Sequence, residues 1–414
     1  MKFTKLTVDE YNLFRKINPC RDFMNSLEAM ELKKMNHWEV EYVGVKEGNN
    51  VLCATPLTSI PVMKVYRFYY AQRGFLIDYQ NKELLTFFTK ELLSYLKKKK
   101  ALYLIADPNV LYKERNIDGD LVEDGFDNSY VIQNMEQAGF IHQGLTNNFQ
   151  VLSEIRWMFS LYLDGKDEAT LLKEMHQQTR WSINKTIKQD IKIRELSVDE
   201  IDYFIKMMDH TSQRRGFVAR EKDFYTNQMI AFKDKAKLLM AYLDIDDFNS
   251  RLKNEEENLQ NQIKEVELKL QEIKSKKYTK KKKELDEAIA LNSRNQKEAH
   301  ELEEKYGKII PMATSFFILD EDEIIYLYSA AYDAFKKYNA PYAIQWYMIR
   351  YALNHNYKKY NFYGISGDFS KDAQDYGVYM FKKGFNGVVE ELVGDFVLPV
   401  KKLPYKLYKA LKHK

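Results

Sequence analysis

Leu252-Lys-Asn-Glu-Glu-Glu-Asn-Leu259-Gln-Asn-Gln-Ile-Lys-Glu-Val266-Glu-Leu-Lys-Leu-Gln-Glu-Ile273 separates an appendage from the body of this chain. Apolar residues recur every seven positions at Leu252, Leu259, Val266 and Ile273, with Ile263 and Leu270 on a second seam. That is the pattern of a helix packed along a partner helix. A weaker repeat, Leu285, Ala288, Leu302 and Tyr306, follows the basic segment Lys274-Ser-Lys-Lys-Tyr-Thr-Lys-Lys-Lys-Lys283. Neither Pro nor Gly interrupts the stretch before Gly307. The spacing predicts two antiparallel helices joined near a lysine-rich tip, each about 28 residues and roughly 40 Å long at 1.5 Å per residue. Asp247–Gly307 holds 14 Lys plus Arg and 14 Asp plus Glu, so the arm is neutral and only its tip is basic. The candidates for phosphate contact are therefore Lys276, Lys277, Lys280, Lys281, Lys282 and Lys283.

On either side of the arm the sequence is Tyr- and Phe-rich, and its two halves share a plan. Glu39–Val45, Val51–Leu57 and Val65–Ala71 read as strands, followed by a helix over 81–98 and a strand, Ala101–Ala106, ending at Asp107-Pro108. After the arm the order returns. Leu238–Ile245, Met312–Leu319 and Ile324–Tyr328 read as strands, then a helix from Pro341 to Asn354, then Lys359–Tyr363. The arm occupies the place of the short turn Lys46–Asn50, where sheets accept insertions readily. The expectation is an α+β protein of two tandem acetyltransferase-like units with mixed, mostly antiparallel sheets. The first unit spans 1–150 and the second 151–246 and 308–398. The inserted arm takes 247–307, and a basic tail, 399–414, closes the chain.

A length of 414 residues suffices for two cores. The net charge of +4 is too small to declare a nucleic-acid binder. Two cysteines, Cys20 and Cys53, cannot supply a disulfide framework or a thiolate metal site, and a reducing cytoplasm fits them. No apolar run approaches a membrane span. The phosphate-binding loops G-x-x-x-x-G-K-[ST] and G-x-G-x-x-G and the zinc motif H-E-x-x-H are absent. Gly364-Ile-Ser-Gly-Asp368 is no nucleophile elbow, because Asp368 stands at the second Gly position. The R/Q-x-x-G-x-G/A turn with which acetyltransferase folds hold coenzyme A is also missing. The tail places six lysines and no acid among Leu403, Leu407, Tyr408 and Leu411. It is either a docked helix or a surface for anionic lipid.

Tyr360-Asn-Phe-Tyr-Gly-Ile-Ser-Gly-Asp-Phe369, Asp375-Tyr-Gly-Val-Tyr-Met-Phe-Lys-Lys-Gly-Phe385 and Val393-Gly-Asp-Phe396 resemble the C-terminal region of the FemABX family. Met1–Val8, Ile60–Val65, Arg73-Gly74, Asp107-Pro108 and Gln345-Trp346 resemble other parts of its pattern, and the helical arm is similar to that of the staphylococcal FemA- and FemB-like subgroup. The resemblance implies a cytoplasmic, cofactor-free aminoacyltransferase of the peptidoglycan interpeptide bridge. Its donor would be glycyl- or seryl-tRNA, with alanine used by some members. Its acceptor would be the lysine side chain, or the growing bridge, of a lipid-linked muropeptide. It also implies an arm like the tRNA-contacting arm of seryl-tRNA synthetase, and leaves open peripheral contact with the inner face of the membrane and pairing with itself or a related enzyme.

Roles follow from the resemblance residue by residue. Lys382 would stabilise the developing oxyanion or hold the donor, and Phe381 before it would contact substrate. Asp107 would accept a proton or orient the amine. Arg220 and Phe224 match the peptide channel, Arg73 would hold an anionic muropeptide group, and Tyr363 ends the strand beside the same site. Two segments depart from the subgroup. Tyr326-Leu-Tyr-Ser-Ala330 replaces Tyr-Tyr-x-Gly-Gly, and Thr179-Arg-Trp-Ser182 keeps one of three basic residues, Arg180. Both bear on the choice of amino acid. A coenzyme-A-dependent N-acyltransferase and a catalytically silent RNA-binding or scaffold protein stand as the alternatives.

Overall fold

The computed structural model describes residues 1–149, 152–273 and 275–412. Lys274 of the expected tip, the expected unit boundary at 150–151 and the last two residues of the tail lie outside the described residues. The strands are β1 (Lys2–Lys5), β2 (Glu39–Glu47), β3 (Asn50–Val62), β4 (Tyr66–Ala71), β5 (Ala101–Ala106), β6 (Ile141–His142), β7 (Trp157–Tyr162), β8 (Lys192–Glu195), β9 (Ala236–Asp244), β10 (Ile309–Asp320), β11 (Glu323–Ala331), β12 (Lys359–Ile365), β13 (Val388–Glu391) and β14 (Phe396–Pro399).

They form two seven-stranded sheets, ordered β1-β2-β3-β4-β5-β14-β6 and β8-β9-β10-β11-β12-β7-β13. Written this way the sheets correspond position by position. In each, one pair is parallel, β4 with β5 and β11 with β12, and the rest are antiparallel. Two acetyltransferase-like α+β units are thus present, as the repeated strand pattern predicts.

The correspondence exposes one feature that the linear reading misplaces. The sixth strand of each sheet lies across the connection between the units. After β6 the chain crosses to the second sheet as β7, and after β13 it crosses back as β14. Val393-Gly-Asp-Phe396 falls within the expected second unit, which ends at 398, yet β14 lies in the first sheet between β5 and β6. A strand that is buried on both sides carries no polar alternation to reveal which sheet it joins.

Four clusters of buried side chains occur among the described residues, and three of them set the architecture. One lies against the first sheet, around Phe75, Phe88 and Leu104; one against the second, around Phe159, Phe317 and Trp346. The third joins the units, packing Phe23, Met24 and Met30 against Met207, Phe232, Met240 and Phe316. Ion pairs cross the same boundary. Arg15, 1% exposed, donates to Asp320 at 2.5 Å, and Arg21 meets Asp322 at 2.6 Å.

The arm leaves the β9–β10 hairpin as helices Ile245–Glu272 and Lys276–Tyr306, roughly 42 and 46 Å long at 1.5 Å per residue. Leu252 and Val266 are buried between them as expected. Ile273 is 62% exposed instead, because the first helix stops at Glu272. The second helix buries Leu285, Asn292 and Ala299, a seven-residue spacing in which a polar residue hides the repeat. The Asn292 amide donates to the Leu252 carbonyl at 3.0 Å, and Gln296 donates to Asn292 at 2.8 Å. A buried amide at such a position fixes register.

The exchanged strands and the shared third cluster make the two units unfold together. Variants retaining only Trp38, or only Trp346, are expected to give coincident urea transitions by fluorescence; two separated midpoints would show independent units. Asp320→Ala should lower stability by about 3–5 kcal/mol by stranding buried Arg15, and the paired change Arg15→Met with Asp320→Leu should cost less.

Candidate active site at the facing strand ends

Asp107 follows the last residue of β5. The register of β14 pairs Phe396 with Ala106, which sets Asp395 across from Asp107. The Asp107 carboxylate accepts from the Arg73 backbone N–H at 2.8 Å, and its second oxygen lies 3.6 Å from the Arg73 guanidinium. That second oxygen, Oδ2, is buried and has no hydrogen-bond partner among the described residues. Burial pushes the Asp107 pKa up to about 8; Arg73 opposes the shift, and the carboxylates of Asp395 and Glu154 add to it. Burial likewise raises Asp395 and Glu154. Glu154 accepts from Gln72 at 2.7 Å. Lys33, its ammonium 4.8 Å from the Trp38 ring and 5.4 Å from that of Tyr70, is pulled below its ordinary pKa by burial, against the attraction of Glu154 and Asp107. Three carboxyl groups and one ammonium therefore share a poorly hydrated space.

Arg73 is 2% exposed. Its guanidinium donates to the Ile155 carbonyl at 2.8 Å and its own carbonyl accepts from Asn25 at 3.0 Å. It sits at φ 48°, a conformation that side chains rarely adopt and that its neighbours must hold. The geometry gives it an inward task, fixing Asp107, rather than an open guanidinium for a ligand.

Tyr363 stands opposite, at φ 62° and at an irregularity in the pairing of β12 with β7. Here the two units differ. β4 and β5 stay paired from Arg67/Ala101 to Ala71/Ala106, whereas β11 and β12 pair only from Glu323/Lys359 to Ile325/Asn361 and then part. The second sheet therefore opens at the ends of its parallel strands, where a mixed sheet offers unpaired backbone groups to a ligand. Lys382, 4% exposed on the helix Tyr376–Lys383, answers that opening. Its ammonium donates to the carbonyls of Tyr363 and Gly364 at 3.2 and 2.6 Å. Burial pulls its pKa down to about 7, with Asp375 opposing.

Arg73, Asp107 and Tyr363 are thus brought together, with Tyr363 joined to Lys382 through its carbonyl. Burial raises the Tyr363 phenol, and the charges of Glu154 and Arg73 act on it from nearby. Arg220 is exposed and precedes the helix Lys222–Phe232 rather than lying on it. Its guanidinium covers Phe224 at 5.5 Å, and Phe224 meets Tyr328 edge-on at 6.1 Å. This aromatic wall leads toward Glu154, whose charge reaches the Tyr328 phenol. Phe381 lies apart, against Tyr342 and Phe385 in the second unit's core.

Lys33, Tyr70, Glu154 and Asp395 were not among the expected site residues. Asp395 lies in the quoted Val393-Gly-Asp-Phe396 segment, and the strand exchange is what carries it to Asp107. Of the departures, Arg180 donates to the carbonyls of Lys173 and Met175 and so closes the preceding turn of chain. Ala330 is buried in the third cluster. At the arm tip Lys282 is held by Glu267 at 3.2 Å and Asp286 at 3.0 Å. Lys276, Lys277, Lys280, Lys281 and Lys283 are exposed. A groove of about 460 Å³ between the helices is lined by Lys269, Lys277, Lys280 and Lys281, with Glu265 and Glu284 among them.

Two acetyltransferase-like sheets with a buried carboxylate at the end of one parallel pair and an opening at the other have the architecture of an acyltransferase. The chain belongs to the FemAB family, whose model matches residues 6–413. It is 37% identical over 417 aligned residues to the aminoacyltransferase FemA of Staphylococcus aureus strain bovine RF122 / ET3-1, covering 100% of this chain and 98% of that protein. The same values hold for FemA of strain N315. The crystal structure of FemX superposes with a TM-score of 0.84 at 24% identity over 98% of this chain and 99% of that one, which establishes the fold. The resemblance carried by the motifs is borne out at the level of family.

Because Asp107 is neutral in the fold up to about pH 8 and ionised in the unfolded chain above about pH 4, its contribution to stability is full at low pH and lost as pH rises through that window. The urea midpoint difference between the wild type and Asp107→Asn is expected to move in the variant's favour from pH 5 to pH 8 and then level off. A pH-independent difference would refute the buried, protonated carboxyl.

Proposed function

We propose that this aminoacyltransferase moves glycine or serine from aminoacyl-tRNA to an amine of a lipid-linked peptidoglycan precursor, either the lysine side chain or the growing interpeptide bridge. The observation that supports it most is Asp107 Oδ2: a buried carboxylate oxygen 3.6 Å from Arg73 but without a hydrogen-bond partner among the described residues, flanked by two further acids, is a seat for a protonated amine. An arriving ammonium would favour the ionised carboxylate and offset its desolvation. The ammonium loses one proton to solvent on becoming the free amine; Asp107 takes a second as the amine nitrogen bonds to the ester carbonyl carbon, and the bond to the tRNA terminal ribose oxygen breaks. The proton held by Asp107 returns to that oxygen. Such a base works best with a pKa near the ambient pH, where the fold holds Asp107.

The donor fits the second unit. The parting of β11 and β12 supplies room, and Lys382 keeps one N–H beyond the two given to carbonyls, available to the developing oxyanion. Arg73 and Tyr363 position the facing strand ends, Arg220 and Phe224 line the approach, and Phe381 supports the Lys382 helix from the core side. On the arm, the exposed tip lysines are the phosphate contacts; Lys282 serves the helix pair itself.

Purified protein with charged tRNA and lipid-linked muropeptide is expected to transfer a labelled amino acid, whereas transfer from acyl-CoA alone, or tRNA binding without turnover, would overturn the proposal. The profile of kcat/KM should be bell-shaped and centred at about pH 7.5, between an Asp107 that must ionise and a Lys382 that must hold its proton. Asp107→Asn should remove the acid limb. Lys382→Ala should lower the rate about 10²–10³-fold without unfolding the protein; full activity would remove Lys382 from the site.

A second set of variants tests the arm. Replacing Lys276, Lys277, Lys280, Lys281 and Lys283 together by Gln should weaken tRNA binding and flatten its dependence on salt, with Lys282→Gln having the smaller effect. Unchanged affinity in the fivefold variant would exclude the tip as a phosphate contact.

A further inference from the structure

The helix Lys402–Lys412 packs on the first sheet through the cluster that holds Tyr70, Tyr103 and Ile105. It docks through few groups. Tyr405 and Tyr408 pack on Tyr103 of β5, with ring centroids 4.9 and 5.7 Å away, and the N–H groups of Val400 and Lys401 reach the Leu102 carbonyl at 3.0 and 3.1 Å. On another face Leu403, Leu407 and Leu411 stand in one stripe at four-residue intervals, 80%, 58% and 60% exposed. Lys402, Lys406 and Lys409 are exposed beside them, and no acid occurs from Pro399 to the end of the chain. The hairpin between β3 and β4 adds Met63 and Val65, 39% and 64% exposed, on either side of exposed Lys64. It lies at the same end of the sheet, since Arg67 pairs with Ala101 at the start of β5.

We infer that this end of the first unit is a docking surface for an anionic phospholipid bilayer. Lysines flanking an apolar stripe on every turn, without one compensating acid, match an extended negative surface into which leucines can insert shallowly. A protein partner would sit badly on it, because interface centres are depleted of lysine. The inference rests on the proposed lipid-linked acceptor and gives it a direction. The helix begins beside Leu102 and the candidate base is Asp107, five residues along the same strand, or roughly 17 Å at 3.3 Å per residue. With the bilayer at one end of β5, the sugar and peptide of the acceptor, not its lipid, would span that distance to the site.

The test is co-sedimentation of the full chain with vesicles of phosphatidylglycerol and phosphatidylcholine, or of phosphatidylcholine alone. The wild type is expected to sediment with the anionic vesicles only, and less so as salt rises. Leu403→Asp with Leu407→Asp and Leu411→Asp should weaken this at least tenfold at an unchanged melting temperature. Lys402→Gln with Lys406→Gln and Lys409→Gln should remove the preference for the anionic lipid. No binding to anionic vesicles, equal binding by the leucine variant, or a wild-type dimer that this variant converts to monomer would each overturn the inference. Transfer to a water-soluble muropeptide without lipid separates the two readings. The leucine variant should retain it while losing transfer to acceptor embedded in vesicles. Its absence from the wild type would sink the proposed activity and leave the vesicle result to decide the membrane surface alone.

Discussion

The structure depends on the reciprocal exchange of one strand between its two sheets. Each sheet has a sixth strand that hydrogen-bonds to the end of the parallel pair, and in each case the connection between the units supplies it. Without β14 the first sheet would expose the edge of β5 and leave β6, two residues long, without a neighbour. Without β7 the second would lose β13 in the same way. Short terminal strands of this kind make poor edges for further pairing, which protects a sheet, but they depend on the strand inside them. The exchange also explains why charged groups can be buried at the boundary. Arg156, just before β7, donates at 2.6 Å to Glu391 at the end of β13, and Arg115 of the first unit donates to the same carboxylate at 2.7–2.8 Å. Fixed strands hold these groups close enough to offset their desolvation.

The same exchange sets the chemistry of Asp107. A guanidinium 3.6 Å away contributes roughly 4–5 kcal/mol at an effective dielectric near 20, which alone would depress a carboxyl pKa by about three units. The shift runs upward instead. Burial and the like charges of Asp395 and Glu154 therefore outweigh Arg73, and Asp395 is present only because β14 crosses back. Carboxyls that cannot all ionise together favour a cation among them. Lys382 shows the converse. It was selected by resemblance for catalysis, yet its first physical task is to satisfy the carbonyls of Tyr363 and Gly364 where β12 departs from its partner.

Much of this was legible in the sequence, for reasons that differ by element. The paired strand patterns, the arm at a hairpin and the helix from Pro341 rest on local periodicity, and the structure returns them within a few residues. The heptads of the first arm helix were visible because Leu252 and Val266 are apolar; Asn292 was not, since a buried amide has the composition of a surface residue. The exchanged strands left no mark because period-two alternation vanishes when both faces are covered. Asp107 could be singled out by its match to the family pattern, since its place before Pro108 alone reads as a turn. Lys33 and Glu154 could not, for only the packing of the two units makes an ordinary helix lysine and a linker glutamate part of one desolvated cluster. Arg73 was legible as a residue but not as a role, because the direction of its guanidinium depends on Ile155, distant in sequence.

The two units descend from one plan, so their differences carry the division of labour. The first keeps its parallel pair closed, ends it in Asp107 and bears the lysine–leucine helix beside the start of β5. The second opens its parallel pair, lines the opening with Tyr363 and Lys382, and extends the arm from the hairpin two strands away. On the proposed reading, an acceptor amine needs a carboxylate and little space, which suits a closed strand end. A donor attached to a large polyanion needs an opening for its terminus and a distant contact for its bulk. The arm suits the second need mechanically: stems that carry 7 Lys plus Arg against 14 Asp plus Glu, locked in register by Asn292, hold a basic tip about 40 Å from the body. A uniformly basic arm would bind a polyanion anywhere along its length. One with acidic stems and a basic tip favours a single contact at a fixed distance; on the proposed reading, the far end of the donor would then be free to reach the opening between β11 and β12.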